Sequence, residues 1–158
     1  AKKTPVCYLT GAVKRLPYEL IPFVLSMFAI VLALNASGVT AQLGSLLAKL
    51  PQPFGYGVSS FLAANVINNI PMSVLYSTVV TAGGTASVPA LYAAVIGSNV
   101  GAFFTPTGAL AGIMWTGQLH DHGVPFSFIR FVKYGATVAV PAMAAALLGL
   151  WKRTMRLE

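Results

Sequence analysis

Acidic residues are almost missing from this chain. Among 158 residues there are three carboxylates, Glu19, Asp121 and Glu158. Charged residues of both signs make up 8% of the chain, against about 25% in a soluble globular domain. That shortage, with 56% hydrophobic residues, excludes an ordinary soluble fold and makes the chain a membrane protein or a piece of one. Cysteine is scarce too. The single Cys7 excludes an internal disulfide. It precedes the first apolar run, where an inert thiol is favoured over a palmitoylation site. An initiator Met is lacking, and so is a signal peptide with its small-residue cleavage site. The expectation is a fragment or a processed half of something longer.

What is present is apolar sequence in long uncharged runs. With His120 neutral, no residue from Leu50 to His120 carries a charge, nor does any from Leu20 to Ala48 or from Tyr134 to Trp151. One membrane span needs about 20 apolar residues, so the chain crosses more than once. The net charge of +7 sits at the ends of these runs. Lys2, Lys3, Lys14 and Arg15 precede the first, Arg130 and Lys133 open the last, and Lys152, Arg153 and Arg156 follow it. Cations so placed anchor helix ends among lipid headgroups, which argues for a bilayer as partner and against nucleic acid.

The chain divides accordingly. Residues 1–16 form a basic juxtamembrane lead-in, 17–35 a first span, and 36–53 an interfacial arm and loop. Val39, Leu43, Leu46, Leu47 and Leu50 fall at helical spacing there, on a segment too short to span. Residues 54–82 and 88–119 each hold two short apolar halves around a polar break. Residues 128–151 are the final span, in which Gly135 and Pro141 offer bends, and 152–158 a basic tail. A half of 12 to 15 residues is about 18–23 Å long, short of a hydrocarbon core of about 30 Å. Residues 54–82 therefore read as a re-entrant hairpin, and 88–119 as a discontinuous helix.

The breaks are "ANVINNIPMS", Ala64 to Ser73, and "GSNVGAFFTPTG", Gly97 to Gly108. Irregular backbone at membrane depth is tolerated where it lies inside protein or lines a wet cavity. Discontinuous helices of transporters aim their ends at solutes and coupling ions. Thr105–Pro106 and Asn68–Asn69–Ile70–Pro71 have the pattern of a capping residue followed by proline at the first helical position. Helix N-termini are expected near Ile70 and Thr105, each with about half a positive charge. Gly97 and Gly101 are expected to end the preceding half-helix in a left-handed turn and to admit close backbone approach. The candidate binding groups are Asn65, Asn68, Asn69, Ser98, Asn99, Thr105 and Thr107, all neutral. They suit an oxygen-rich solute, an anion or a dehydrated Na⁺.

Competing readings were weighed against these groups. Scattered hydroxyls such as Ser59, Ser73, Ser77 and Thr78 suit interhelical packing. His120, Asp121 and His122 supply metal-ligand types without a fourth ligand, so no metal site is assigned. Ser98 lacks a G-x-S-x-G elbow, so no protease is assigned.

"ANVINNIPMS", with "YAAVIGSNVGAFFTPTGALAGIMW" some thirty residues later, resembles the ArsB arsenite-efflux permeases of the ion transporter superfamily. The closing "FVKYGATVAVPAMAAALLGLW" is similar to that family's last span. The resemblance implies an all-α polytopic membrane protein, one half of an inverted-repeat transporter. Its partner would be a missing N-terminal repeat, its scaffold would dimerise, and a cytosolic ATPase would be a further partner. Asn65, Asn68 and Asn69 would stand at the hairpin tip, and Ser98, Asn99, Thr105 and Thr107 along the broken helix. Pro71, Gly97, Gly101, Pro106 and Gly108 would shape the breaks.

The implied function is secondary transport with no cofactor and no enzymatic step. Arsenite or antimonite efflux at the cell membrane leads. A dicarboxylate or citrate symporter, or a sodium/proton antiporter, is the alternative, and a half-helix-lined channel is the alternative from another class. Coupling to H⁺ or Na⁺ would draw on the missing half, because no carboxylate lies at membrane depth here. An N-inside orientation places six cations inside, from Lys2 to Lys133, and leaves Lys49, Lys152, Arg153 and Arg156 outside.

Overall fold

A computed structural model describes residue 18, residues 20–82 and residues 87–156. The lead-in with Cys7, the acids Glu19 and Glu158, and loop residues 83–86 lie outside the described residues. Among the described residues the regular structure is helical throughout.

Helix α1, Leu20–Ala36, is apolar along its length, with Pro22 in its first turn, where a missing N–H costs least. Gly38, at φ 78°, turns the chain in a conformation that costs glycine little. Helix α2, Val39–Leu47, leaves at 76° to α1. The buried Thr40 donates its hydroxyl to Asn35 Oδ1 at 2.9 Å, pinning the corner. At nine residues α2 is about 14 Å long, too short to cross a bilayer.

Helices α3, Phe54–Ile67, and α4, Asn69–Ala82, form a hairpin with one residue, Asn68, between them. Each has 14 residues and reaches about 21 Å, short of a full bilayer crossing. Tyr56, Ala64, Met72 and Val79 are fully or almost fully buried in and around the hairpin. Helix α5, Val88–Gly101, starts where Ser87 Oγ accepts the Ala90 N–H at 3.3 Å. The same hydroxyl donates to Gln52 Oε1 at 2.7 Å, tying the start of α5 to the loop before α3.

Helices α3 and α5 run side by side and parallel, because both carry small residues at helical spacing. Ala90, Ala93, Ala94, Gly97 and Gly101 of α5 are buried, as are Gly57, Ser60 and Ala64 of α3. A Cβ at Gly97 would overlap Ser60 Oγ and the Gly57 carbonyl. At Gly101 it would stand 2.7 Å from the Phe61 carbonyl. Small residues that let backbones approach are the usual means of joining helices in lipid.

After a 3₁₀ turn, Pro106–Gly108, helix α6 covers Leu110–Asp121. Helix α7, Phe128–Thr154, has 27 residues, about 40 Å, and crosses a bilayer unaided. Little of it is buried. Ala139, Met143 and Leu147 make its packed seam, and the remainder, such as Val138, Val140 and Leu148, is exposed. Gly135 lets α7 meet the Phe103 carbonyl, which a Cβ there would overlap. Exposed Leu62, Val66 and Ile129 extend an apolar exterior far beyond what a soluble monomer carries.

Candidate functional site

The parallel arrangement of α3 and α5 brings both breaks to one place. Asn65, on the last turn of α3, holds its own helix through Nδ2, which donates to the Phe61 carbonyl at 2.7 Å. Its Oδ1 accepts the Thr105 hydroxyl at 2.6 Å. Thr107 Oγ1 donates to the Asn65 carbonyl at 3.2 Å and lies 3.0 Å from Thr105 Oγ1. Asn68 Nδ2 donates to the Thr107 carbonyl at 3.3 Å. Four side chains from segments about forty residues apart thus clasp the hairpin tip to the broken helix.

Asn68 also makes the hairpin turn. Its backbone sits at φ 67° and ψ 151°, a region that side-chain-bearing residues rarely occupy and that costs of order 1–3 kcal/mol. Its Oδ1 accepts the Ile70 N–H at 3.4 Å and its carbonyl accepts the Met72 N–H at 3.2 Å, which caps α4. Pro71 is the third residue of α4, not the first. It removes one of the N–H groups that the start of a helix leaves without an internal partner.

Several expectations need correction. Thr105 does not cap a helix. Its hydroxyl is committed to Asn65, Pro106 opens only the 3₁₀ turn, and α6 begins at Leu110 behind Ala109. Gly97 and Gly101 are not left-handed, and α5 runs on to Gly101 with a right-handed Ala102 after it. Their role is close approach. Gly108 serves the same end, since a Cβ there would stand 2.9 Å from both Asn65 Oδ1 and the Gly101 carbonyl. Ser98 lies apart from the cluster. It is buried against α4, lines a small space with Met72, Tyr76 and Leu91, and donates to the Val95 carbonyl at 3.0 Å.

Asn69 and Asn99 meet elsewhere. Both line a cavity of about 570 Å³ with Ala102, Phe103, Ala109, Gly112, Trp115 and Phe131. Asn99 Nδ2 donates to the Val95 carbonyl at 2.8 Å, and its Oδ1 accepts no hydrogen bond among the described residues. The Asn69 amide has no hydrogen-bond partner among the described residues. It opens α4, so the positive end of that helix reaches the same space. Trp115 and Phe131 are 5.8 Å apart between ring centroids, and Phe126 stands 5.1 Å from Trp115. No charged side chain lines the cavity.

The sequence reading missed this aromatic wall, and with it Gly112, whose missing Cβ lets Pro106 O approach. The paired Phe103–Phe104 between Gly101 and Thr105 was a usable signal, since large side chains in a break must face something. Trp115 and Phe131 carried none, because helix registers decide where they point.

Two helix breaks clasped beside a neutral cavity, within an apolar helical exterior, are features of a membrane-embedded helical protein. The chain belongs to the ArsB family, whose model, "Arsenical pump membrane protein", matches residues 1–153. It is 28% identical to an arsenical pump membrane protein of Yersinia enterocolitica, over 89% of this chain and 35% of that protein. The corresponding protein of Escherichia coli K12 is 27% identical over the same shares. An uncharacterized transporter of Synechocystis is 34% identical, over 82% of this chain and 35% of its own length. The chain therefore spans about a third of the curated relatives it matches. No solved structure matches it. As in its family, the chain is an integral, multi-pass component of the cell membrane.

Proposed function

We propose that this chain forms a solute-binding part of a secondary transporter that exports arsenite or antimonite. The observation that carries the reading is the cavity shared by Asn69 and Asn99, with an uncommitted amide, a free amide oxygen and no charge. Neutral As(OH)₃ offers three hydroxyls, each able to donate and accept. Amides match that chemistry without the desolvation cost that a buried charge carries. A dicarboxylate would want an Arg or Lys, and none lines the cavity. The sole cysteine, Cys7, belongs to the lead-in, which argues for recognition by hydrogen bonds and not by arsenic–sulfur bonds.

The arsenical pump names of the relatives support the same substrate. Coupling to H⁺ or Na⁺ draws on a further part of the transporter, since Asp121, the one carboxylate among the described residues, ends α6 outside the cavity. The rest of the partner set carries over as part of this reading. It comprises an N-terminal repeat, a dimeric scaffold and a cytosolic ATPase.

The test gives the full-length protein to arsenite-sensitive cells that lack their own pump. The expected outcome is tolerance to arsenite and antimonite with lowered cell arsenic. Unchanged sensitivity, together with accumulation of a dicarboxylate or loss of sodium, would transfer the function to the alternative substrates. Unsaturable flux would point to a channel.

A further inference from the structure

We propose that the groove between the start of α5 and the end of α7 binds one anionic phospholipid, its phosphate on Arg153 and an acyl chain along Ile96 and Leu150. The groove holds about 530 Å³ and is lined by Val88, Tyr92, Ile96, Leu150, Arg153 and Thr154, with Pro89 beside them. Its chemistry is graded. At one end stand the Arg153 guanidinium and, on either side of it in sequence, Lys152 and Arg156. From Val88 to Ile96 the wall is apolar and about 12 Å deep at helical rise.

Three observations place the charged end at headgroup level. Arg153 lies in the last turn of a helix long enough to span the bilayer. Trp151, two residues earlier and against Phe54 at 6.2 Å, is of the residue type that settles at the membrane–water boundary. The polar Ser87–Gln52 pair marks the same end of α5. Arg153 takes part in no ion pair among the described residues. The one carboxylate among them, Asp121, precedes the opposite end of α7.

A guanidinium with no carboxylate partner among the described residues favours a phosphate oxygen pair. A zwitterionic lipid would bring its own cation towards Lys152 and Arg156. Free phosphate would leave the exposed apolar side chains of Val88 and Tyr92 without contact. A phospholipid of net negative charge satisfies both ends of the groove.

The experiment titrates the full-length protein in detergent with phosphatidylglycerol and, separately, phosphatidylcholine, reading bound lipid by native mass spectrometry. Phosphatidylglycerol is expected to be retained over phosphatidylcholine and to resist excess inorganic phosphate. Arg153→Ala should weaken its binding about fivefold, the effect of one cation near a lipid phosphate. Ile96→Trp, which fills the apolar wall and keeps the guanidinium, should weaken it too. Arg130→Ala, at the far end of α7, should leave it unchanged. Equal retention of the two lipids, displacement by phosphate, or binding indifferent to Arg153→Ala and Ile96→Trp would overturn the assignment. An equal loss with Arg130→Ala would also overturn it, as general attraction to a basic surface.

Discussion

The two breaks solve the same problem in different ways. The hairpin turns on a single residue, Asn68, which occupies an unfavourable backbone region and caps α4 with its own side chain. The other break runs from Ala102 to Ala109, between α5 and α6, and contains a 3₁₀ turn. It makes turn bonds of its own, such as Phe104 N–H to the Gly101 carbonyl at 2.9 Å and Gly108 N–H to the Thr105 carbonyl at 3.1 Å. Its side-chain hydroxyls are spent on the hairpin. The short break thus makes its own turn and adds one bond to the long one, from Asn68 Nδ2 to the Thr107 carbonyl, while the long break commits both its hydroxyls to the short one. Such a dependence makes the tip and the broken helix one body. Asn65 and Thr105 hold the two breaks together, while Asn69 and Asn99 line the cavity beside them.

The largest effect should come from prying the two breaks apart. Gly97→Leu drives a side chain into Ser60 Oγ and the Gly57 carbonyl, backbone that cannot step aside. Overpacking of this kind typically costs about 1–3 kcal/mol, and more against rigid backbone. The full-length variant should lose its thermal stability in detergent and most of its membrane level. Normal stability and level would mean that α3 and α5 do not cross at these glycines.

Next in size is the contrast between positioning and binding groups. Asn69→Ala removes an amide with no protein partner, so melting temperature should hold while transport falls about tenfold, the upper range for one neutral hydrogen bond. Asn65→Ala and Thr105→Val should instead destabilise. In a double-mutant cycle their coupling should be about 0.6 kcal/mol, the average for side-chain pairs in membrane helices. Zero coupling would dissolve the clasp. A destabilised Asn69→Ala protein would turn that residue into a packing group.

That contrast also marks what the sequence can tell. Asn68, Pro71, Pro106 and Gly108 show where the helices are interrupted, because each changes local backbone preference. The lengths of the halves then follow from counting. Which polar groups meet does not, since Asn65 and Thr105 are brought together only by the packing of α3 on α5. The same packing decides that Gly97 and Gly101 serve close approach, although glycine near a helix end suggests a left-handed stop equally well. Thr–Pro read as a helix start fails for a related reason. The hydroxyl donates to Asn65 Oδ1, and no N–H of its own turn reaches it.

The smallest effect belongs to Ser98, and it separates a linear from a helical reading of the break. In sequence Ser98 and Asn99 look like a matched pair of ligands. On a helix of 3.6 residues per turn, neighbours point about 100° apart. Asn99 faces the cavity, and Ser98 faces Met72 and Tyr76 of α4 with its hydroxyl bound to the Val95 carbonyl. Ser98→Ala removes one atom and a bond internal to α5, while Val95 O keeps the Asn99 amide as a donor. No buried acceptor is stranded, so the cost should stay below about 0.5 kcal/mol. Transport by the full-length variant should match wild type, while Asn99→Ala lowers it. The measurement is initial efflux rate at equal membrane levels. A loss with Ser98→Ala as deep as that with Asn99→Ala would turn α5 about its axis and place Ser98 in the cavity.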